Sequence, residues 1–221
     1  MEKGKIRMSE EHIRQLHSLF SQIEVHLLND DKPSEYLNAV YNDPMFRQYP
    51  FDMLYKLKKT EQSKVHHPEG NVWNHTMLVV DEAAQAKAKS RNPVVFMWAA
   101  LLHDIGKPGT TRIRKGRITA YDHDKLGAEL SVRFLECFTE DRGFIREVSE
   151  LIRYHMHILY VLKSLPFADL QGLCKNTDIW EVALLGLCDR LGRTNPDRGK
   201  IEADIRFFIE KCNVSNKSMD L

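Results

Sequence analysis

Cysteine is scarce in this sequence and carries no pairing pattern. Cys137, Cys174, Cys188 and Cys212 are widely spaced and form no CxxC pair, which argues against a structural zinc site or a disulfide framework and leaves reduced, mostly buried thiols. Charge of one sign is lacking as well, with 32 Lys plus Arg against 31 Asp plus Glu. No global attraction to nucleic acid, anionic membrane or acidic substrate follows, so phosphate recognition has to be local. The longest apolar run, around Val94 to Leu102, is too short to cross a bilayer, and the opening MEKGKIRMSEEH has no apolar stretch. A cytoplasmic protein with no membrane partner is expected. Strand signals are confined to the stretch around Arg117 to Tyr121, and no repeat or low-complexity tract forces a boundary.

What is present is a sequence of helices. The 221 residues, 43% hydrophobic, can bury a substantial core. Ile13, Leu16, Phe20, Ile23 and Leu27 recur at helical spacing, predicting a first helix to about Leu28. Ser34 is placed to cap a second helix, which Asn42, Asp43 and Pro44 end. The segment from Phe51 to Lys59 reads as helical with Leu54 and Leu57 inward, and Val65 to Gly70 as a loop. Longer, more apolar helices follow at roughly 72–89, 93–105, 124–139, 144–158, 167–175, 179–192 and 199–212. The class is all-α, with accessory N-terminal helices over 1–64 and the main domain over 65–221.

The chemistry sits on inward helical faces. PVVFMWAALLHD is apolar on every side until His103 and Asp104, and a buried carboxylate has to be paired, hydrogen-bonded or bound to a metal. A plainer alternative is a core histidine bonded to a carbonyl beside a capping aspartate. His75 shares its face with Val72, Val79 and Ala86, and Asp189 shares one with Val182 and Leu185, so both point at the core. His155 continues the inward series Ile145, Val148, Ile152, whereas His157 falls to another side of that helix.

One His, a His-Asp pair and a distant Asp form the motif of the HD superfamily of metal-dependent phosphohydrolases, which this sequence resembles. The run LLHDIGKPG strengthens the likeness, with Gly106 and Pro108 expected to end the helix just after the ligands. HHPEGNVWNHTMLVV, LLHDIGKPGTT, YDHDKLGAEL and LIRYHMH together look like the HD region of bacterial CCA-adding tRNA nucleotidyltransferases, over about residues 65–193. Residues 1–64 hold neither the Gly-rich phosphate turn nor the paired aspartates of a nucleotidyltransferase head, so the expectation is hydrolysis and not CCA addition. The resemblance implies an HD-domain helical bundle with His75, His103, Asp104 and Asp189 as core metal ligands. It further implies His123 and His155 as holders of a second ion, with Asp104 as the bridge. For His123 the plainer alternative is a solvent-facing side chain near a helix start, with Asp122 or Asp124 as the cap.

Imidazole and carboxylate donors without a thiolate suit one or two divalent transition ions, Mn, Fe, Co, Ni or Zn. The expected function is hydrolysis of a phosphomonoester or phosphodiester by metal-activated hydroxide. The resemblance points to a nucleotide such as a 2′,3′-cyclic nucleotide or a nucleoside monophosphate, with an RNA end as a further partner. Asp104 and Lys107 are the candidate catalytic groups. Lys107 either neutralises charge on a phosphoryl group or is a solvated lysine at a helix end. Arg112 and Arg114, in the basic loop TTRIRKGRIT, are candidates for substrate binding or form a solvated surface. Arg190 and Arg193 either face the pocket or pair with Asp197 and Glu202, and Glu82 either supports a ligand or faces solvent. Two other readings compete: a non-catalytic HD-fold nucleotide-binding or regulatory module, and a di-iron HD-fold oxygenase.

Overall fold

The computed structural model describes residues 9–217, with side chains to residue 213. The chain is helical almost throughout, and none of the described helices is long and apolar enough to cross a membrane. Helix α1 (Glu10–Asn29) begins at Ser9, whose side chain accepts from the His12 N–H, and buries Leu16, Leu19, Ile23 and Leu27. Helix α2 (Pro33–Val40) starts with proline, which suits a first turn that has no use for its N–H. Ser34 is therefore not the cap; its backbone N–H and hydroxyl donate to the Asp81 carboxylate at 3.0 and 2.7 Å. After a 3-10 turn over Pro44–Arg47, α3 (Asp52–Tyr55) runs into a second 3-10 turn over Lys56–Lys59, with Leu54 and Leu57 fully buried.

Helices α4 (Val72–Ala86), α5 (Pro93–Leu102), α8 (Arg142–Tyr154) and α11 (Ile179–Leu191) form the centre, with α5 packed on α4, α8 and α11. From Val95 to Leu102 every α5 side chain is buried, as a helix apolar on all sides requires. Between them α6 (Lys107–Thr110) leads into a hairpin, β1 (Arg112–Arg114) paired antiparallel with β2 (Arg117–Thr119). Lys115 and Gly116 both have positive φ, the backbone of a two-residue turn that matches strand twist. Only its second strand carries a sequence signal. Helix α7 (His123–Leu135) packs along α8, and α9 (His157–Leu162), α10 (Leu170–Asn176) and α12 (Arg198–Lys217) close the other end.

The N-terminal helices share one continuous hydrophobic core with the rest. Phe20 of α1 stacks on Trp98 of α5 at 4.4 Å, and the Trp98 indole donates to Glu24 at 2.8 Å. Trp73 of α4, also fully buried, donates to Asn38 at 2.9 Å. Each indole thus keeps its polar edge bonded while burying an apolar body worth about 2–3 kcal/mol.

Two expected helix ends are corrected. The segment expected as one helix over 144–158 is two, because α8 stops at Tyr154 and α9 restarts at His157. Helix α5 stops at Leu102, before and not after His103 and Asp104. Gly106 has φ −78°, so it is not a left-handed cap. A Cβ there would lie 2.2 Å from the His123 carbonyl oxygen and 2.6 Å from the Gly127 nitrogen. Glycine is required at this position by the close approach of α7, which carries His123 to the site.

Candidate metal centre

Five helix ends or faces deliver their polar side chains to one buried spot. His75 projects from the first turns of α4, His103 and Asp104 follow the last residue of α5, His123 opens α7, His155 ends α8, and Asp189 lies in the last turn of α11. His75, His103, Asp104, His123 and His155 are buried, and Asp189 is half-buried. The inward faces read for His75 and Asp189 hold: Val72, Val79, Ala86, Val182 and Leu185 are all buried.

Their ligand atoms fall into two groups, each with all atoms within 4.8 Å of one another: His75, His103 and Asp189, and Asp104, His123 and His155. In the first, His75 Nε2 is 2.9 Å from Asp189 Oδ1. In the second, His123 Nε2 is 3.2 Å from His155 Nε2. Asp104 touches both groups. Its Oδ2 is 3.3 Å from His103 Nε2 and 4.0 Å from His75 Nε2, while its Oδ1 is 3.5 Å from His123 Nε2.

The rings are aimed by the backbone. His103, His123 and His155 each place Nδ1 within 2.6–2.8 Å of the carbonyl three residues earlier, of Ala100, Ala120 and Ile152. A carbonyl can only accept, so Nδ1 carries the proton and the Nε2 lone pair faces the cluster, the arrangement that metal-binding imidazoles use. His103 Nε2 is buried without a hydrogen-bond partner. Such an orphan is costly unless a further electrophile sits there. Four imidazoles and two carboxylates with no thiolate fit a divalent transition ion.

The electrostatics differ across the cluster. Burial alone would raise the Asp104 carboxyl, but the Lys107 ammonium holds it well below the usual range. Asp189 behaves alike, burial being outweighed by Arg193 and His75. Burial acts to lower His75, yet its hydrogen bonds to Asp189 and Glu69 leave it raised. Burial lowers His123 against the pull of Asp104, and it lowers His155 to about 4 with help from His123 and His103.

Lys107 is no solvated lysine: it is buried, with Nζ 2.7 Å from Asp104 Oδ2 and 2.5 Å from Gln62 Oε1. His123 is not solvent-facing, and neither neighbouring aspartate caps α7 through its side chain. Asp122 pairs with Lys125 at 2.8 Å, and the buried Asp124 pairs with Arg153 at 2.7 Å. Arg112 and Arg114 lie exposed on the hairpin, where Arg112 donates to the carbonyls of Gly109 and Thr111. Arg193 is 3.8 Å from Asp189 and Arg190 3.7 Å from Asp204, so neither takes Asp197 or Glu202. Glu82 turns outward to Arg198 at 3.6 Å. His157 is fully buried beside Tyr154 and Tyr160, outside both ligand groups.

Sequence reasoning missed two residues of the loop before α4. Glu69 Oε1 lies 3.0 Å from His75 Nδ1 and 2.9 Å from His67 Nδ1, a carboxylate behind a ligand-type imidazole. Its carboxyl is lowered to about 2, burial being outweighed by bonds from His75 and His67. Loops carry no periodicity to reveal such a direction. The available signal was a carboxylate in a Pro- and Gly-bounded turn that leads into the helix of His75.

Residues 72–193 match the HD domain, more than half of the chain, and the chain belongs to that family, whose members are generally metal-dependent hydrolases. Among curated proteins it is similar to the multifunctional CCA protein of Actinobacillus pleuropneumoniae serotype 5b, 34% identical over 163 residues, covering 72% of this chain and 37% of the relative. The proteins of the same name from Halorhodospira halophila and Pseudomonas fluorescens are 33% and 37% identical over 48% and 43% of this chain, and 24% and 22% of their own lengths. The chain thus spans between about a fifth and little more than a third of the length of these relatives.

Proposed function

We propose that the protein is a metal-dependent phosphohydrolase acting on a small phosphorylated substrate, a nucleotide such as a 2′,3′-cyclic nucleotide or a nucleoside monophosphate. The observation that carries this reading is the position of Asp104, with one oxygen toward His103 and His75 and the other toward His123. In this reading His75, His103, Asp104 and Asp189 would hold one divalent ion, and His123 and His155 with Asp104 would hold a second. Bound there, such ions would supply Lewis acidity toward water and the phosphoryl oxygens.

The chain's own residues supply the rest. Backbone carbonyls keep three Nε2 lone pairs directed inward. Burial excludes bulk water, which strengthens every charge interaction in the cluster. Lys107, steered by Gln62, sets a positive charge 2.7 Å from Asp104, suited to the negative charge that develops on a transferring phosphoryl group. Arg193, half-buried beside Asp189, offers another cation at the margin.

The test strips the protein with a chelator, restores Mn, Fe, Co, Ni or Zn singly, counts ions by elemental analysis and assays a panel of cyclic nucleotides, nucleoside monophosphates and simple phosphate esters. Turnover that returns with the ion is the expected result. Ions bound without turnover of any member of the panel would overturn the hydrolase reading and leave a binding module.

A further inference from the structure

A cavity of about 950 Å³ lies beside the cluster, between the segment of Lys58 to His66 and the hairpin from Gly116 to Thr119. None of the clustered histidines lines it. It is joined to the cluster through Gln62, which lines the cavity and accepts from the Lys107 ammonium that also contacts Asp104. We infer that this groove takes a single-stranded polynucleotide, whose backbone lies along it while a terminal phosphoester reaches the metal cluster.

Charge is the first argument. The chain as a whole is nearly neutral at +1, yet the cavity is lined by Lys58, Lys59, Lys64 and Arg117 against the single carboxylate of Glu61. Among the described residues none of these four cations is in an ion pair. Lys58 and Lys59 stand over the rings of Tyr41 and Tyr55 at 4.3 and 5.4 Å, so aromatic faces hold them without neutralising them. A row of uncompensated cations is the footprint of a phosphate backbone.

Size is the second. At about 950 Å³ the cavity reaches the top of the roughly 300–1,000 Å³ range of small-molecule pockets. A mononucleotide seated at the cluster would leave it unfilled, whereas a chain continuing from that nucleotide would occupy it. Val65, 85% exposed at its wall, offers apolar surface to a base.

This inference rests on the phosphohydrolase reading of the cluster, and the experiment separates the two. Binding of a fluorescein-labelled ten-nucleotide oligouridylate with a 3′-terminal phosphate is followed by anisotropy between 50 and 200 mM salt. Wild-type protein and the Asp104→Ala variant should both bind, with a slope of log affinity against log salt of roughly −3 for four neutralised phosphates. Lys58→Glu with Lys64→Glu should weaken binding at least about tenfold and flatten the slope, yet leave mononucleotide turnover as in wild type. The charge-removing pair Lys58→Ala with Lys64→Ala, checked by circular dichroism, covers the case that reversal disturbs folding. Double variants that bind the oligonucleotide like wild type, or polyglutamate that competes as well as unlabelled oligonucleotide, would overturn the groove. Absence of turnover on any ester, with oligonucleotide binding intact, would instead overturn the reading of the cluster.

Discussion

His75 and His155 are both buried in the cluster, yet their rings are pushed in opposite directions. Burial opposes charge on each, but His75 faces Asp189 and Glu69 and is raised, whereas His155 faces His123 and His103 and falls to about 4. The side around His75 is rich in carboxylate, so a cation arriving there meets negative charge already in place and competes with a proton on His75. The side around His155 offers neutral lone pairs, and the carboxylate among its grouped ligand atoms is Asp104. An ion on the second side should accordingly be the weaker bound, and Asp104 would be the side chain on which both depend.

The largest effect should come from removing that shared group. Asp104→Ala is expected to abolish metal retention and bring phosphoesterase activity to background while circular dichroism stays helical. Full metal content and full activity would break the comparison at its root. The next effect separates the sides: His123→Ala with His155→Ala should keep one ion, held by His75, His103, Asp104 and Asp189. Its turnover should fall roughly a hundredfold, or about 2.7 kcal/mol. Two ions retained by that double variant would show that the sides are not distinct.

How far the sequence reveals this site follows from what positions each residue. His75 and Asp189 sit within helices whose apolar spacing is regular, so the direction of both is legible. The apolar run of α5 likewise marks His103 and Asp104 as buried, although the helix stops one residue before them. The break at His155 and Met156 is not legible, because the apolar density of LIRYHMHILY continues through it. A single helix would have sent His157 elsewhere; the restart at His157 buries it as well. Glu69, His67 and Gln62 lie in irregular chain, where only tertiary contact sets direction. The all-α class is read from periodicity and from the lack of strand signal, and the hairpin of Ile113 and Ile118 is the part that those criteria half miss.

A smaller effect should sharpen the contrast from the carboxylate side. Glu69 lies behind His75, 3.0 Å from its Nδ1, whereas the other three rings lean on neutral carbonyls. Glu69→Gln keeps the volume but removes the charge that raises the basicity of His75. Affinity for the first ion should drop about 10–100-fold, measured by competition with a chromogenic chelator, while the ion on the His155 side is retained. An equal loss on both sides would mean that Glu69 supports the cluster as a whole and not His75 alone.

The smallest effect is expected at His157, two residues from His155 and outside both ligand groups. Its ring is fully buried, and neither nitrogen has a hydrogen-bond partner. Burial, aided by Arg153, lowers it to about 4 from an ordinary value of 6.5. The unfolded chain therefore binds a proton more readily than the folded one between those values, so His157 lowers stability as pH falls from about 6.5 toward 4. His157→Phe keeps a flat ring, somewhat larger than the imidazole, and removes two unsatisfied polar atoms, a change that is neutral or stabilising where the core takes the added volume. Metal content should be unchanged and turnover within about twofold of wild type. Urea unfolding of the metal-stripped proteins should show a smaller loss of stability between pH 7 and pH 4.5 in the variant. His157→Ala, by contrast, should cost about 3 kcal/mol through the cavity it opens, still without releasing metal. Loss of an ion from either variant would place His157 in the centre with His155 and erase the distinction between the two histidines.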